Sequence, residues 1–138
     1  MKGPVPYLFF QGNCKEAFEY YAKALGGKIL AMMKNSDAPK EHQAQMGPAD
    51  SVMHACLELP GGGLLMASDS PPEYYRPAQG FAVSVHPASI AEAERVFGAL
   101  ADGGQVTMPL GQTFWAARFG MCSDRFGTAW MVNCEKDA

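Results

Sequence analysis

The sequence predicts an α+β fold built from two β-α-β-β-β modules, and three observations predict it. First, a strand–helix–glycine pair–strand unit occurs twice: YLFFQGNCKEAFEYYAKALGGKIL ends at Leu30 and FAVSVHPASIAEAERVFGALADGGQVTM ends at Met108. Gly26-Gly27 and Gly103-Gly104 are 77 residues apart in a chain of 138, so two similar modules share it. Second, about eight stretches read as strands, where a β-α-β-β-α-β plan needs only four. Third, 48% of the residues are hydrophobic and no long charge run occurs, which predicts one globular domain. The expected division is module one over 1–69, a linker over 70–79 and module two over 80–138.

Val5–Gln11 is a short apolar, aromatic run and reads as a strand. Gly12-Asn13 breaks it, and Asn13 with Glu16 forms a capping-box pair that starts a helix. Cys14, Ala17, Phe18, Tyr21 and Leu25 then fall on one helical face. Gly26-Gly27 ends the helix, because glycine accepts the left-handed terminal geometry. Lys28–Met33 resumes as a strand. The polar stretch 35–51, broken by Pro39, Gly47 and Pro48, reads as a loop.

Val52–Leu59 alternates with a period of two, Met53, Ala55, Leu57 and Leu59 on one face and His54, Cys56 and Glu58 on the other. Pro60-Gly61-Gly62-Gly63 turns the chain into a hairpin partner, Leu64–Ser68. The linker carries Pro71, Pro72 and Pro77. Phe81–Val85 is a strand, and Ser89 with Glu92 is a second capping box. Ile90, Ala93, Phe97 and Leu100 form the apolar face of the second helix, which Gly103-Gly104 ends. Gln105–Met108, Phe114–Cys122 and Thr128–Cys134 complete the strands, with Arg125-Phe126-Gly127 as the last turn.

A net charge of −3 argues against nucleic acid or an anionic membrane as the main partner. No apolar run approaches the roughly 18 residues that span a bilayer, and MKGPVPYLFF does not read as a signal peptide. Four widely spaced cysteines, Cys14, Cys56, Cys122 and Cys134, read as reduced thiols of a cytoplasmic protein.

The stretches PYLFFQGNCKEAFEYYAKALGG, VMHACLELPGGGLLMASD and AERVFGALADGGQVTMPLGQTFWAARFGMCSDRFGTAWMVNCE together resemble the vicinal oxygen chelate superfamily. It includes glyoxalase I, extradiol dioxygenases and bleomycin-resistance proteins. The closer resemblance is to its PhnB-like branch, often labelled 3-demethylubiquinone 3-methyltransferase. The resemblance implies that the paired modules form a cupped, barrel-like mixed sheet around a cavity, and that chains pair as homodimers. The methyltransferase label finds no support in the residues. The glycines sit after helices or in hairpins, whereas the usual nucleotide-like cofactor needs a Gly-rich turn between a strand and a helix.

Metal-dependent members place His, Gln or Glu at symmetric positions. By the resemblance these fall at Pro6, near Met66, near Gly80 or Phe81 (with Gln79 adjacent) and at Met131. None of the four is a usual ligand for Ni, Zn, Fe or Mn, so no metal and no other cofactor is expected.

His54 is the leading candidate for chemistry, on the more polar face of its strand. It reads as a general base or a ligand contact, against a histidine bonded across the sheet. Cys56 shares its face, as a thiol made nucleophilic by His54 or as core filling. Ser68 and Asp69 end the partner strand. Asp69 reads as an orienter of His54 or as a turn residue. Trp115, beside Phe114 and ahead of Arg118, suggests a slot for a planar or anionic ligand, against an apolar patch or dimer contact. Asp124 and Arg125 read as a turn-stabilising ion pair and Trp130 as core. Met32, Met33, Met46, Met53, Met66, Met108, Met121 and Met131 suit an apolar pocket as well as a core.

Three functions follow. The favoured one is a metal-independent, homodimeric, small-molecule-binding protein walled by Phe10, Trp115 and the methionines Met66 and Met131, with Cys56, Ser68 and Arg118 at the ligand. The second is an enzyme with His54 as acid/base and Asp69 or Arg118 assisting; a misread metal register would instead give a glyoxalase-like lyase or dioxygenase. The third is a structural or regulatory dimer using Tyr74 and Tyr75.

Overall fold

The computed structural model describes residues 1, 3–43 and 47–136. They fall into two compact units, Met1–Arg76 and Pro77–Ala138. Met46 and part of the 35–51 loop lie outside the described residues.

In the first unit, β1 (Tyr7–Phe10), α1 (Cys14–Leu25), β2 (Lys28–Lys34), β3 (Val52–Glu58) and β4 (Leu64–Asp69) give the β-α-β-β-β order. The sheet runs β1-β4-β3-β2, with β1 parallel to β4 and the other pairs antiparallel. The predicted face of α1 is buried in full, joined by Ala24. It packs on Phe10, whose ring centroid lies 6.4 Å from Phe18 and 6.5 Å from Tyr21. Leu8, Ala55, Leu57 and Ala67 complete this core. Between β2 and β3 the expected loop contains a 3-10 turn at Asn35–Asp37 and a short helix α2 (Lys40–Gln43).

The start of α1 differs from expectation. Asn13 makes no side-chain capping bond. Asp69, from the end of β4, caps instead: its Oδ1 accepts from the Gly12 and Cys14 amides at 2.9 and 3.0 Å. A carboxylate is favoured there because the first helical amides have no partner within the helix and the dipole is positive.

The second unit repeats the plan with β5 (Val83–Val85), α3 (Ile90–Ala101), β6 (Gln105–Gly111), β7 (Ala116–Ser123) and β8 (Ala129–Glu135) in the order β5-β8-β7-β6. Ser89 Oγ accepts from the Glu92 amide at 3.1 Å, and Glu92 reaches back to the Ala88 amide at 3.1 Å. Ala93, Val96, Phe97 and Leu100 are buried, but Ile90, at the first turn, is exposed. Trp130, Val132, Cys122 and Cys134 form the facing layer. Asp124 ties the last turn to this core, accepting from the Phe126 and Thr128 amides and from the Trp130 indole at 2.8 Å. Arg125 meets Asp102 of the turn after α3 at 3.3 Å.

The doubled glycines have a common cause. A Cβ on Gly27 would stand 2.7 Å from the Glu58 carbonyl, and one on Gly104 would collide with the Ser123 carbonyl. These carbonyls belong to residues that pair with Lys28 and Gln105, the residues following each glycine pair. Each helix therefore returns to its sheet through a gap that only glycine fits.

Candidate functional site

Strand alternation decides which side chains face away from the helices. In the first sheet Leu8 and Phe10 face α1, so Tyr7 and Phe9 project from the other side. Register adds Met66 opposite Tyr7, Ser68 opposite Phe9, Cys56 opposite Met66 and Met33 opposite His54. Tyr7, Phe9 and Met33 are exposed; His54 and Met66 are half-buried; Cys56 and Ser68 are buried.

On this face Tyr7 and His54 form a pair. The Tyr7 hydroxyl lies 3.1 Å from His54 Nδ1, and the rings stack with centroids 5.8 Å apart and planes 27° apart. Phe9 packs beside Tyr7 at 5.2 Å. A phenol held on Nδ1 fixes the imidazole plane and leaves Nε2 for another group. The pair stands among the apolar side chains of Phe9, Met33 and Met66.

Several residues singled out in the sequence lie elsewhere. Phe10 faces α1 and is 3% exposed, so Phe9 and Tyr7, one and three residues earlier, are the aromatic side chains of β1 on the helix-distal face. Asp69 is on the α1 side of the sheet, and its second oxygen accepts from the Val52 amide at 2.9 Å. Its carboxylate is committed to three backbone amides rather than to His54. Arg118 reaches Glu94 of α3 at 3.7 Å, whereas the Trp115 ring turns to Phe119 at 5.3 Å and to Phe114 at 4.9 Å. The two do not form a slot. Trp115 precedes β7, whereas Arg118 pairs with the buried Cys134 on the α3 side. Met131, like Met66, lies on the helix-distal face of its sheet.

A cleft of about 160 Å³ beside the α1 N-terminus is lined by Gln11, Gly12, Ser51, Asp69 and prolines including Pro48 and Pro71. Its volume is below the roughly 300 Å³ at which ligand pockets begin, and its one carboxylate is already used. All four cysteines are unpaired and buried. Burial, then the Asp69 charge, pushes the Cys14 thiol up to about 12; burial, then Asp124, pushes Cys122 up to about 11. Both are poor nucleophiles at neutral pH.

Among the described residues no group of three or more His, Cys, Asp or Glu could hold a metal ion. The Pro6 carbonyl is taken up by the Met66 amide at 3.0 Å, and Met66 and Met131 offer only thioethers.

Sequence reasoning missed Tyr7, Phe9, Ser84, His86 and Asn133. Ser84 and His86 flank the buried Val85, so alternation from Val83 and Val85 could have found them. Tyr7 lies in an all-aromatic and aliphatic run with no alternation to set its face.

Comparison with known proteins places the chain. Residues 2–133 match the family described as 3-demethylubiquinone-9 3-methyltransferase. Protein YjdN of Escherichia coli K12 is 33% identical over 139 residues, covering 95% of this chain and 94% of YjdN. The crystal structure of protein PA1353 from Pseudomonas aeruginosa is similar with a TM-score of 0.87 and 52% identity, over 99% of this chain and all of that one. A PhnB protein from Bacillus cereus, likewise described as a 3-demethylubiquinone-9 3-methyltransferase, gives 0.75 and 25% over 96% and 99%. A glyoxylase/bleomycin resistance protein/dioxygenase domain from Frankia, at 14% identity and 0.67 over 100% and 95%, shares the fold alone. No described helix is long and apolar enough to cross a membrane. With the family matched over nearly its whole length, the chain belongs to the PhnB-like, 3-demethylubiquinone-9 3-methyltransferase-like family, on the glyoxalase/bleomycin resistance fold.

Proposed function

We propose that the chain is a metal-independent small-molecule-binding protein that takes its ligand on the helix-distal face of the first sheet. One observation carries this reading: a hydrogen-bonded, stacked Tyr7–His54 pair standing in an exposed apolar surface. Exposed aromatic and methionine side chains supply contact area, and the pair supplies direction. The ligand expected is small and largely apolar, with one polar group for His54 Nε2.

A second reading has its own support. With Nδ1 engaged by Tyr7, His54 is oriented for proton transfer at Nε2, so the same face suits an acid/base enzyme in which Tyr7 takes the part expected of Asp69. Tyr7→Phe and His54→Ala separate the two. A binder loses affinity in both variants and no turnover is at issue. An enzyme retains substrate affinity in Tyr7→Phe while its pH–rate profile shifts. If ligand affinity is unchanged in His54→Ala, the site is elsewhere.

A further inference from the structure

We propose that Ser84, His86 and Asn133, on the second sheet, form a subsite for a neutral hydroxyl or primary amide group joined to an apolar body. The inference rests on reading the chain as a small-molecule binder and names the kind of ligand group it takes. β5 runs parallel to β8 with Ser84 opposite Met131 and Val85 opposite Val132. Val85 and Val132 are buried on the α3 side, so Ser84, His86, Met131 and Asn133 share the other face.

These polar groups are linked. Ser84 Oγ lies 3.2 Å from His86 Nε2, and Asn133 Nδ2 lies 3.5 Å from His86 Nδ1. With the amide nitrogen toward the ring, Nδ1 accepts and Nε2 carries the proton donated to Ser84 Oγ. The Ser84 hydroxyl hydrogen is then left to donate outward. Asn133 Oδ1 is buried without a hydrogen-bond partner among the described residues. A buried acceptor left unpaired destabilises the fold, and a ligand donor would remove that penalty. The 3.5 Å contact is at the limit of hydrogen bonding, so an exposed His86 yields at little cost when a ligand reaches the amide.

The neighbouring row sets the rest of the ligand. Register aligns Ser84, Met131, Met121 and Met108 across four strands. Three thioether side chains in line form an adaptable apolar track leading from the polar cluster. That row holds no charged side chain, and the orphan Asn133 Oδ1 accepts rather than donates, so a carboxylate would meet another acceptor there.

The test is two-dimensional NMR of the full chain titrated with hexanamide, 1-hexanol and, as a charged control, hexanoate. Saturable shifts at the Asn133 side-chain amide, the His86 ring and the methionine methyls are expected with hexanamide and hexanol, with hexanoate about tenfold weaker. Asn133→Leu removes the orphan acceptor; it is expected to fold at least as stably and to bind hexanamide about tenfold more weakly. Ser84→Ala, at an exposed position, is expected to weaken binding in the same direction and decides the matter if Asn133→Leu does not fold. Equal affinity in a folded variant, or hexanoate binding as tightly as hexanamide, overturns the subsite. Shifts confined to Tyr7 and His54 overturn the subsite but leave the first-sheet reading intact; silence on both sheets overturns both.

Discussion

At the scale of single residues, Asp69 illustrates what a sequence conceals. One carboxylate accepts from Gly12, Cys14 and Val52, ending the β1 turn, starting α1 and anchoring β3 two residues before His54. Its donors lie up to 57 residues away in the chain, and no local pattern encodes such a contact. Asn13, the better cap by position and residue type, was the legible choice and does not cap. Asp69→Asn leaves one acceptor oxygen where there were two, and is expected to cost about 1–3 kcal/mol in urea unfolding. A loss below a few tenths would show that the amides find other partners. Tyr7→Phe, at an exposed position, is expected to change stability by no more than about 0.5 kcal/mol while altering the His54 ring resonances. Unaltered His54 resonances would remove Tyr7 from the site. His54 itself was legible, because its strand alternates cleanly. Tyr7 was not, because YLFF does not.

At the scale of elements, helix faces are legible in the sequence and strand faces only in part. Both helices show their buried faces at 3.6-residue spacing, and only Ile90 departs, at an end where the helix has not yet reached the sheet. A continuous apolar run gives no parity, so the sequence offers Phe10 as a ligand wall; the structure turns it to α1. Arg118 stands three residues from Trp115, an odd offset that in a strand puts two side chains on opposite faces, and it turns to Glu94 of α3. The glycine pairs gave the repeat, but their reason is tertiary: close passage under the Glu58 and Ser123 carbonyls. Gly104→Ala is therefore expected to destabilise by about 3 kcal/mol. Gly98→Ala, on the exposed side of α3 with nothing near the new methyl, is expected to stabilise by about 0.5–1 kcal/mol. Thermal unfolding of the two variants checks both; equal midpoints would contradict the packing argument.

At the scale of the whole molecule, the buried thiols give stability a pH dependence. The Cys14 and Cys122 thiols ordinarily ionise near 9 and are raised to about 12 and about 11 in the fold. The folded chain thus holds these protons more tightly than the unfolded one. Their contribution is complete below pH 9 and is lost as pH rises from 9 through about 11 and 12. The urea midpoint is expected to fall as pH rises from about 9 towards 11, and to fall less in a Cys14→Ala, Cys122→Ala double variant. An identical fall in the double variant would assign the effect to other groups.

The central claim is that a small molecule binds the Tyr7–His54 face without a metal. The most direct measurement is ligand-observed and protein-observed NMR of chelator-treated chain against a fragment set of small aromatic and aliphatic amides, alcohols and acids. The account predicts saturable binders that shift the Tyr7 and His54 resonances and are lost in His54→Ala. Binding that appears only after Zn, Ni or Mn is restored, or fragments that leave both residues unshifted, would contradict it.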